Sequence, residues 1–246
     1  MKIGIVSDIH SNIQAFREVL KEFDARGVEK ILCCGDMIGI GINPEEVLQE
    51  ILKRKDQFVG VLGNHEKYLL EGFPEVVHED ERPMASDEIE NHRWNHHFLL
   101  SKSREFIQSL NVSELLEIEG KKIYITHYPM FSDGTYKRMI KTPIVEECQE
   151  LFQGIQADIY LYGHTHTRSI VQCGEKYYIN PGSLGCPGNT NIAKASILTI
   201  TKESLDYEEL NIEYNADEIR NEINELKFPF YKGILKIFYG VDNEKE

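Results

Sequence analysis

The chain has 246 residues, 41% of them apolar and 28% charged, the composition of a soluble globular protein with room for one large domain or two small ones. Its net charge of −14 speaks against a nucleic-acid polymer held on a broad basic face, because phosphate neutralisation needs clustered Lys and Arg. No apolar stretch reaches the roughly eighteen residues of a membrane helix. Met1-Lys2-Ile3-Gly4 meets a charge too soon for a signal peptide, so no membrane partner and a cytoplasmic location are expected.

The first third alternates strand and helix. Lys2 to Ser7 is an apolar Ile/Val run and reads as a buried strand. Asn12 then caps a helix with Ile13, Phe16, Val19, Leu20 and Phe23 at helical spacing, stopped near Gly27. Lys30 to Cys34 is a second strand. Pro44 to Lys53 is a second helix, with Asn43 as its cap and Pro44 at its first position. Phe58 to Leu62 is a third strand. This βαβαβ order predicts a parallel sheet whose ligands gather beyond the carboxyl ends of its strands. Residues 67–112 differ: Asp87 to Leu110 reads as one or two helices able to cover part of a site there. Strands are expected at Lys121 to Thr126 and Ile159 to Tyr162. A loop is expected over 128–142, then a helix from Thr142-Pro143 to about Phe152. Ser169 to Cys173, Lys176 to Asn180, Ala195 to Thr201 and Ser204 to Ile212 read as strands of a second, more antiparallel sheet. Ala216 to Leu226 is a helix started by Asp217, and the charged end of the chain reads as frayed. With no linker or repeat, 1–246 reads as a single domain: a core over 1–212, a helical segment over 67–112 near the site, and a helical tail over 213–246. The five cysteines are scattered, and Cys33 and Cys34 would point to opposite faces of a strand, so reduced thiols are expected.

Most of the chemistry-bearing residues fall just past predicted strand ends. They are Asp8 and His10 in Ser7-Asp8-Ile9-His10, Asp36 after Gly35, Asn64 in Gly63-Asn64-His65-Glu66, His127, and His164 and His166 in Gly163-His164-Thr165-His166. Seven donors with one carboxylate free to bridge suit two divalent ions side by side. Mixed carboxylate, imidazole and amide donors favour Mn²⁺ or Fe, with Zn²⁺, Ni²⁺ or Co²⁺ as alternatives, over the all-oxygen shells of Mg²⁺ and Ca²⁺. Asp36 is the natural bridge at a metal separation of about 3.5–4 Å. A bridging hydroxide would then attack phosphorus in line, and His65 would protonate the leaving oxygen.

Each motif alone has a plainer reading, since Asp-x-His is common in loops. His92, His96 and His97 sit on a predicted helix, where consecutive side chains point about 100° apart, which favours packing over ligation. Trp94 and Phe98 read as core before nucleobase platform, and Cys186 as an inert loop thiol. Asn12, Lys137, Arg138 and Arg168 are the candidates for substrate contact.

These blocks resemble the calcineurin-like metallophosphoesterase superfamily over roughly residues 1–212. Gly39 to Val47, Trp94 and Asn180-Pro181-Gly182-Ser183 are similar to a bacterial and archaeal subgroup labelled as phosphodiesterases or diadenosine-tetraphosphatase-like. The resemblance implies an α/β fold, a four-layer α/β/β/α sandwich of two mixed sheets. It implies one metal on Asp8, His10, Asp36 and His166 and another on Asp36, Asn64, His127 and His164, with His65 as the acid. It also marks departures. The arginines that grip a monoester in protein phosphatases are replaced at Met37 to Ile40 and at Leu62, and Gly39 stands where relatives carry an Asp that orients the catalytic His. The expected activity is therefore hydrolysis of a small phosphodiester or dinucleoside polyphosphate. A phosphomonoesterase acting on a nucleotide or small metabolite, and a non-catalytic protein-binding scaffold of the same fold, are the alternatives. The sequence does not set the oligomeric state.

Overall fold

The structure is a computed structural model that describes residues 1–75 and 83–241; part of the segment 67–112 and the charged end of the chain lie outside the described residues. The first third alternates as expected through β1 (Lys2–Val6), α1 (Ile13–Ala25), β2 (Lys30–Cys33), α2 (Pro44–Lys53), β3 (Phe58–Gly60) and α3 (Asn64–Glu71). Helices α4 (Ser86–His97) and α5 (Ser101–Gln108) follow, then β4 (Ser113–Ile118), β5 (Lys121–Thr126), α6 (Val145–Leu151) and β6 (Ile159–Leu161). The last third holds β7 (Ser169–Cys173), β8 (Lys176–Asn180), β9 (Ile192–Ile200), β10 (Leu205–Glu213), α7 (Ala216–Leu226) and α8 (Tyr231–Phe238).

Local chemistry explains most helix starts. The Asn12 side-chain oxygen accepts from the Ala15 amide at 3.0 Å and caps α1. Asn43 stands at the cap position of α2 but its side chain makes no capping bond, so Pro44 at the first position and Glu45 and Glu46 in the first turn start that helix instead.

Among the described residues the strands form two five-stranded mixed sheets, in the orders β10-β9-β1-β2-β3 and β4-β5-β6-β8-β7. β1, β2 and β3 are parallel, with Ile5 opposite Leu32 and Leu32 opposite Val59. The last four strands are not one sheet. β9 runs antiparallel to β1, Ile3 facing Leu198, while β8 joins β6 in parallel in the other sheet. The long antiparallel pair β9–β10 misleads because its local pattern carries no record of its distant neighbour β1.

Strand alternation then builds the layers. Ile3, Ile5 and Leu32 from one sheet meet Ile123, Ile125 and Leu161 from the other in an inter-sheet core. Phe16, Val19 and Phe23 of α1, with Val47 and Leu48 of α2 and Ile219 and Ile223 of α7, cover the outer face of the first sheet. Leu151 and Phe152 pack with Tyr160 and Tyr178 on the outer face of the second. Cys33 and Cys34 do face opposite layers, and all five cysteines are free. No helix among the described residues is long and apolar enough to cross a membrane.

Candidate metal centre

The parallel strands of both sheets end at one edge, and the seven donors follow them, six in turns and Asn64 at the start of α3. β1 feeds Asp8 and His10, β2 feeds Asp36 and β3 feeds Asn64; β5 feeds His127 and β6 feeds His164 and His166. Backbone bonds lock these turns together: the Asp8 amide donates to the Gly35 carbonyl at 3.1 Å, the His10 amide to Asp36 at 3.0 Å and the Gly163 amide to His127 at 2.8 Å. Asp8, His10, Asp36, His164 and His166 all hold left-handed φ values, between 47° and 68°. Such strain in non-glycine residues persists only where the surroundings over-determine it, and it collects at functional sites.

Donor atoms face one another closely. His10 Nε2 lies 2.9 Å from His166 Nε2, and His166 Nε2 lies 3.5 Å from Asp8 Oδ1. His127 Nε2 lies 3.0 Å from Asn64 Oδ1 and 3.1 Å from His164 Nδ1. Asp36 Oδ2 stands between the two groups, 3.2 Å from His127 Nε2 and 3.8 Å from His10 Nε2. Two ligands each about 2.1 Å from a shared ion are themselves roughly 3.0–3.4 Å apart, so this spacing fits divalent metals. The tautomers fit as well. His127 Nδ1–H donates to the Cys34 carbonyl at 2.8 Å and His10 Nδ1–H to the Ile38 carbonyl at 3.3 Å, which turns both Nε2 lone pairs toward the cluster. Burial and the surrounding imidazoles push His10 well below the usual histidine range and His166 to about 3, so both rings are neutral, as ligands must be. Burial raises Asp8 to about 6.

Glu66 is the residue whose place the motif reading missed. Fully buried, it accepts four backbone N–H bonds, from Met37 (2.8 Å), Ile38 (3.1 Å), Asp36 (2.9 Å) and Gly63 (2.8 Å). It therefore ties the turn carrying Asp36 to the turn carrying Asn64 and His65. Burial lifts its pKa to about 7 in spite of those donors. Asn95, from α4, makes a parallel clamp, accepting from the Gly39 amide at 3.0 Å and donating to the Gly41 carbonyl at 2.8 Å.

His65 Nε2 is 3.8 Å from Asp36 Oδ2, and its amide donates to Asp36 Oδ1 at 3.0 Å. Its buried Nδ1 has no hydrogen-bond partner among the described residues and faces Gly39, where an added Cβ would lie 2.0 Å away. The ring of His92 packs against it, centroids 4.9 Å apart. His96 stacks on Phe73, while His97 is exposed. Trp94 stacks on Phe228 within the core.

A cleft of about 530 Å³ opens on Asp36, Asn64, His65, His164 and His166. Lys141 is the one Lys or Arg among its described lining residues. Three of the four substrate candidates are engaged elsewhere. Asn12 donates to the Gly185 carbonyl and to Tyr214 besides capping α1. Lys137 Nζ caps α6 through the carbonyls of Glu150 and Leu151. Arg168 holds the carbonyls of Pro181 and Ala195 and the side chains of Glu209 and Asn211. Arg138 is exposed and is not among the residues lining the cleft. Buried backbone carbonyls need donors, and long cationic side chains from neighbouring loops supply them. Cys186 lies beside the cluster, its thiol within 4.8 Å of donor atoms of His10 and His166, and burial raises its pKa well above the usual thiol range. Phe230 and Phe238, flanking and ending α8, also line the cleft; their spacing with Ile234 was the available signal.

Residues 1–203 match the model of the calcineurin-like phosphoesterase superfamily domain. An uncharacterized protein of Methanocaldococcus jannaschii is 26% identical, covering 97% of this chain and 98% of its own. A phosphodiesterase of the same organism is 24% identical, covering 87% and 100%. The crystal structure of a metallophosphoesterase from Sphaerobacter thermophilus superposes with a TM-score of 0.74 at 19% identity, covering 98% of this chain and all of that one, and so shares the fold.

Proposed function

The chain belongs to the calcineurin-like phosphoesterase superfamily, and from that premise we propose that it is a metal-dependent hydrolase of a small phosphodiester. The convergence of seven donors from five strand ends onto Asp36 is the observation that carries the reading. One divalent ion would be held by Asp8, His10, Asp36 and His166, and a second by Asp36, Asn64, His127 and His164. Bound there, the ions would supply Lewis acidity and an activated water. Glu66 and Asn95 would keep the Asp36 and Gly39 turns in register beneath them.

His65 is buried and, with imidazole neighbours, held well below the usual histidine range, so it is neutral at rest. An anionic ester beside it would favour the imidazolium and let Nε2 donate to the departing oxygen. A diester is favoured over a monoester because apolar Ile40 and buried Leu62 occupy positions near those where protein phosphatases carry arginines. Lys141 alone is a weak grip for a dianion.

The test is hydrolysis of bis-p-nitrophenyl phosphate with added Mn²⁺. Wild type should turn it over and Asp36→Asn should lose at least about a hundredfold. Equal rates in the two proteins would sink the assignment.

A further inference from the structure

A second, smaller cavity of about 180 Å³ opens off the cleft on the His65 side, between α3, α4 and α8. Its walls include Tyr68, His92, Phe230, Ile234 and Phe238, with the polar Asn64 and Asn91 also lining it and His65 shared by the two spaces. A cavity of about 150 Å³ holds a benzene ring. No Lys or Arg lines it among the described residues, and the acidic residue on its wall is Glu88, so it repels a further phosphate.

The walls are built rather than incidental. Phe230 holds φ +64°, a left-handed backbone that an aromatic residue rarely adopts. Its ring folds over the first turn of α8, where Gly233 leaves the room: a Cβ there would meet the ring at 2.4 Å. α4 grips this turn from the other side, Trp94 stacking on Phe228 at 4.7 Å and Asn91 donating to the Pro229 carbonyl at 3.2 Å. Backbone strain of this kind clusters at active sites, ligand clamps and switch regions.

We propose that this cavity seats the leaving group of the ester, and that this group carries a planar ring, as a nucleoside or an aryl alcohol does. The proposal rests on the phosphodiesterase reading for its chemistry, and the cavity lies beside the residue assigned to protonate the departing oxygen. A flat ring would bury its faces against Phe230 and Tyr68, while the small retained group stays over the donor cluster.

The experiment compares kcat/KM, with Mn²⁺, for methyl benzyl phosphate, the methyl ester of thymidine 5′-phosphate and methyl butyl phosphate, identifying the alcohol released. At least one ring-bearing ester should be favoured by at least about tenfold, with release of the ring alcohol. Phe230→Ala, and Ile234→Phe, which fills the cavity, should each bring that ratio to within about threefold of unity. A faster thymidine ester assigns a nucleoside, a faster benzyl ester an aryl group. A wild-type ratio near one, or a ratio that both variants keep, overturns the proposal. Calorimetric binding of benzylphosphonate against methylphosphonate gives a second readout without turnover. Ring preference in binding with no diester hydrolysed would fail the activity and keep the cavity; hydrolysis with no ring preference in either readout would do the reverse.

Discussion

At the level of single residues, the centre depends on side chains whose burial changes their chemistry. His92 shows it away from the proposed ligands. Packed among His65, Tyr68 and Phe73, it is pushed down to about 4, chiefly by burial, and His96 one turn on is lowered to about 4 as well. In the unfolded chain these rings take up a proton near pH 6.5; in the fold they resist it until about pH 4. Stability is therefore present above the unfolded value and falls as pH drops through that window. Thermal or urea unfolding of wild type and His92→Phe from pH 7.5 to 4.5 should show a shallower loss in the variant. The difference should reach up to about 3 kcal/mol at the acid end. Parallel curves would mean that His92 titrates normally. The comparison isolates His92 from the buried carboxylates Asp8 and Glu66, which shift in the opposite sense. The step of about 100° between consecutive helix positions argued against His96 and His97 as paired ligands, but that His92 lies against His65 depends on how α4 packs on α3.

Among elements, the strands and helices with strong periodicity were legible: α2, β5, β7, β8 and α7 fall on their expected residues. Short elements were not. β4 carries Glu114 and Glu117 beside exposed Leu115 and has little pattern to read, being an edge strand with one paired side. α3 begins within the Gly63-Asn64-His65-Glu66 motif, where Asn64 and His65 were read as chemistry rather than as a helix start. α8 lay in what read as a tail, although Ile234 and Leu235 are buried and Tyr239 is fully so. Its dependence on Gly233 can be checked directly. Gly233→Ala should displace the Phe230 ring and cost about 1–3 kcal/mol in urea unfolding, against the small gain expected from replacing glycine within a helix. A stabilised variant would show that the ring does not need that space.

For the whole molecule, the donors join two sheets: Asp8, Asp36 and Asn64 follow strands of one, and His127, His164 and His166 follow strands of the other. Metal bound across this edge would tie the sheets together in the folded state only. Mn²⁺ at about a hundred times its dissociation constant should then add about 2.7 kcal/mol. For a chain of this size that is a rise of roughly 5–10 °C in Tm. Chelation should reverse the rise, and Asp36→Asn should blunt it. No shift in wild type would argue that the donors do not bind metal as a preformed set.

The residue types and their order at strand ends carried the family, the α/β class and the candidate donors, because a carboxylate or an imidazole just past a strand is a local fact of the chain. Tertiary structure alone decided which strands share a sheet, since β9 finds β1 across nearly the whole sequence. It alone showed Lys137 and Arg168 donating to backbone carbonyls of neighbouring elements, because donors go where unpaired acceptors are. It also brought α4 and α8 together over His65, a meeting of surfaces from residues far apart in the chain that no local pattern records.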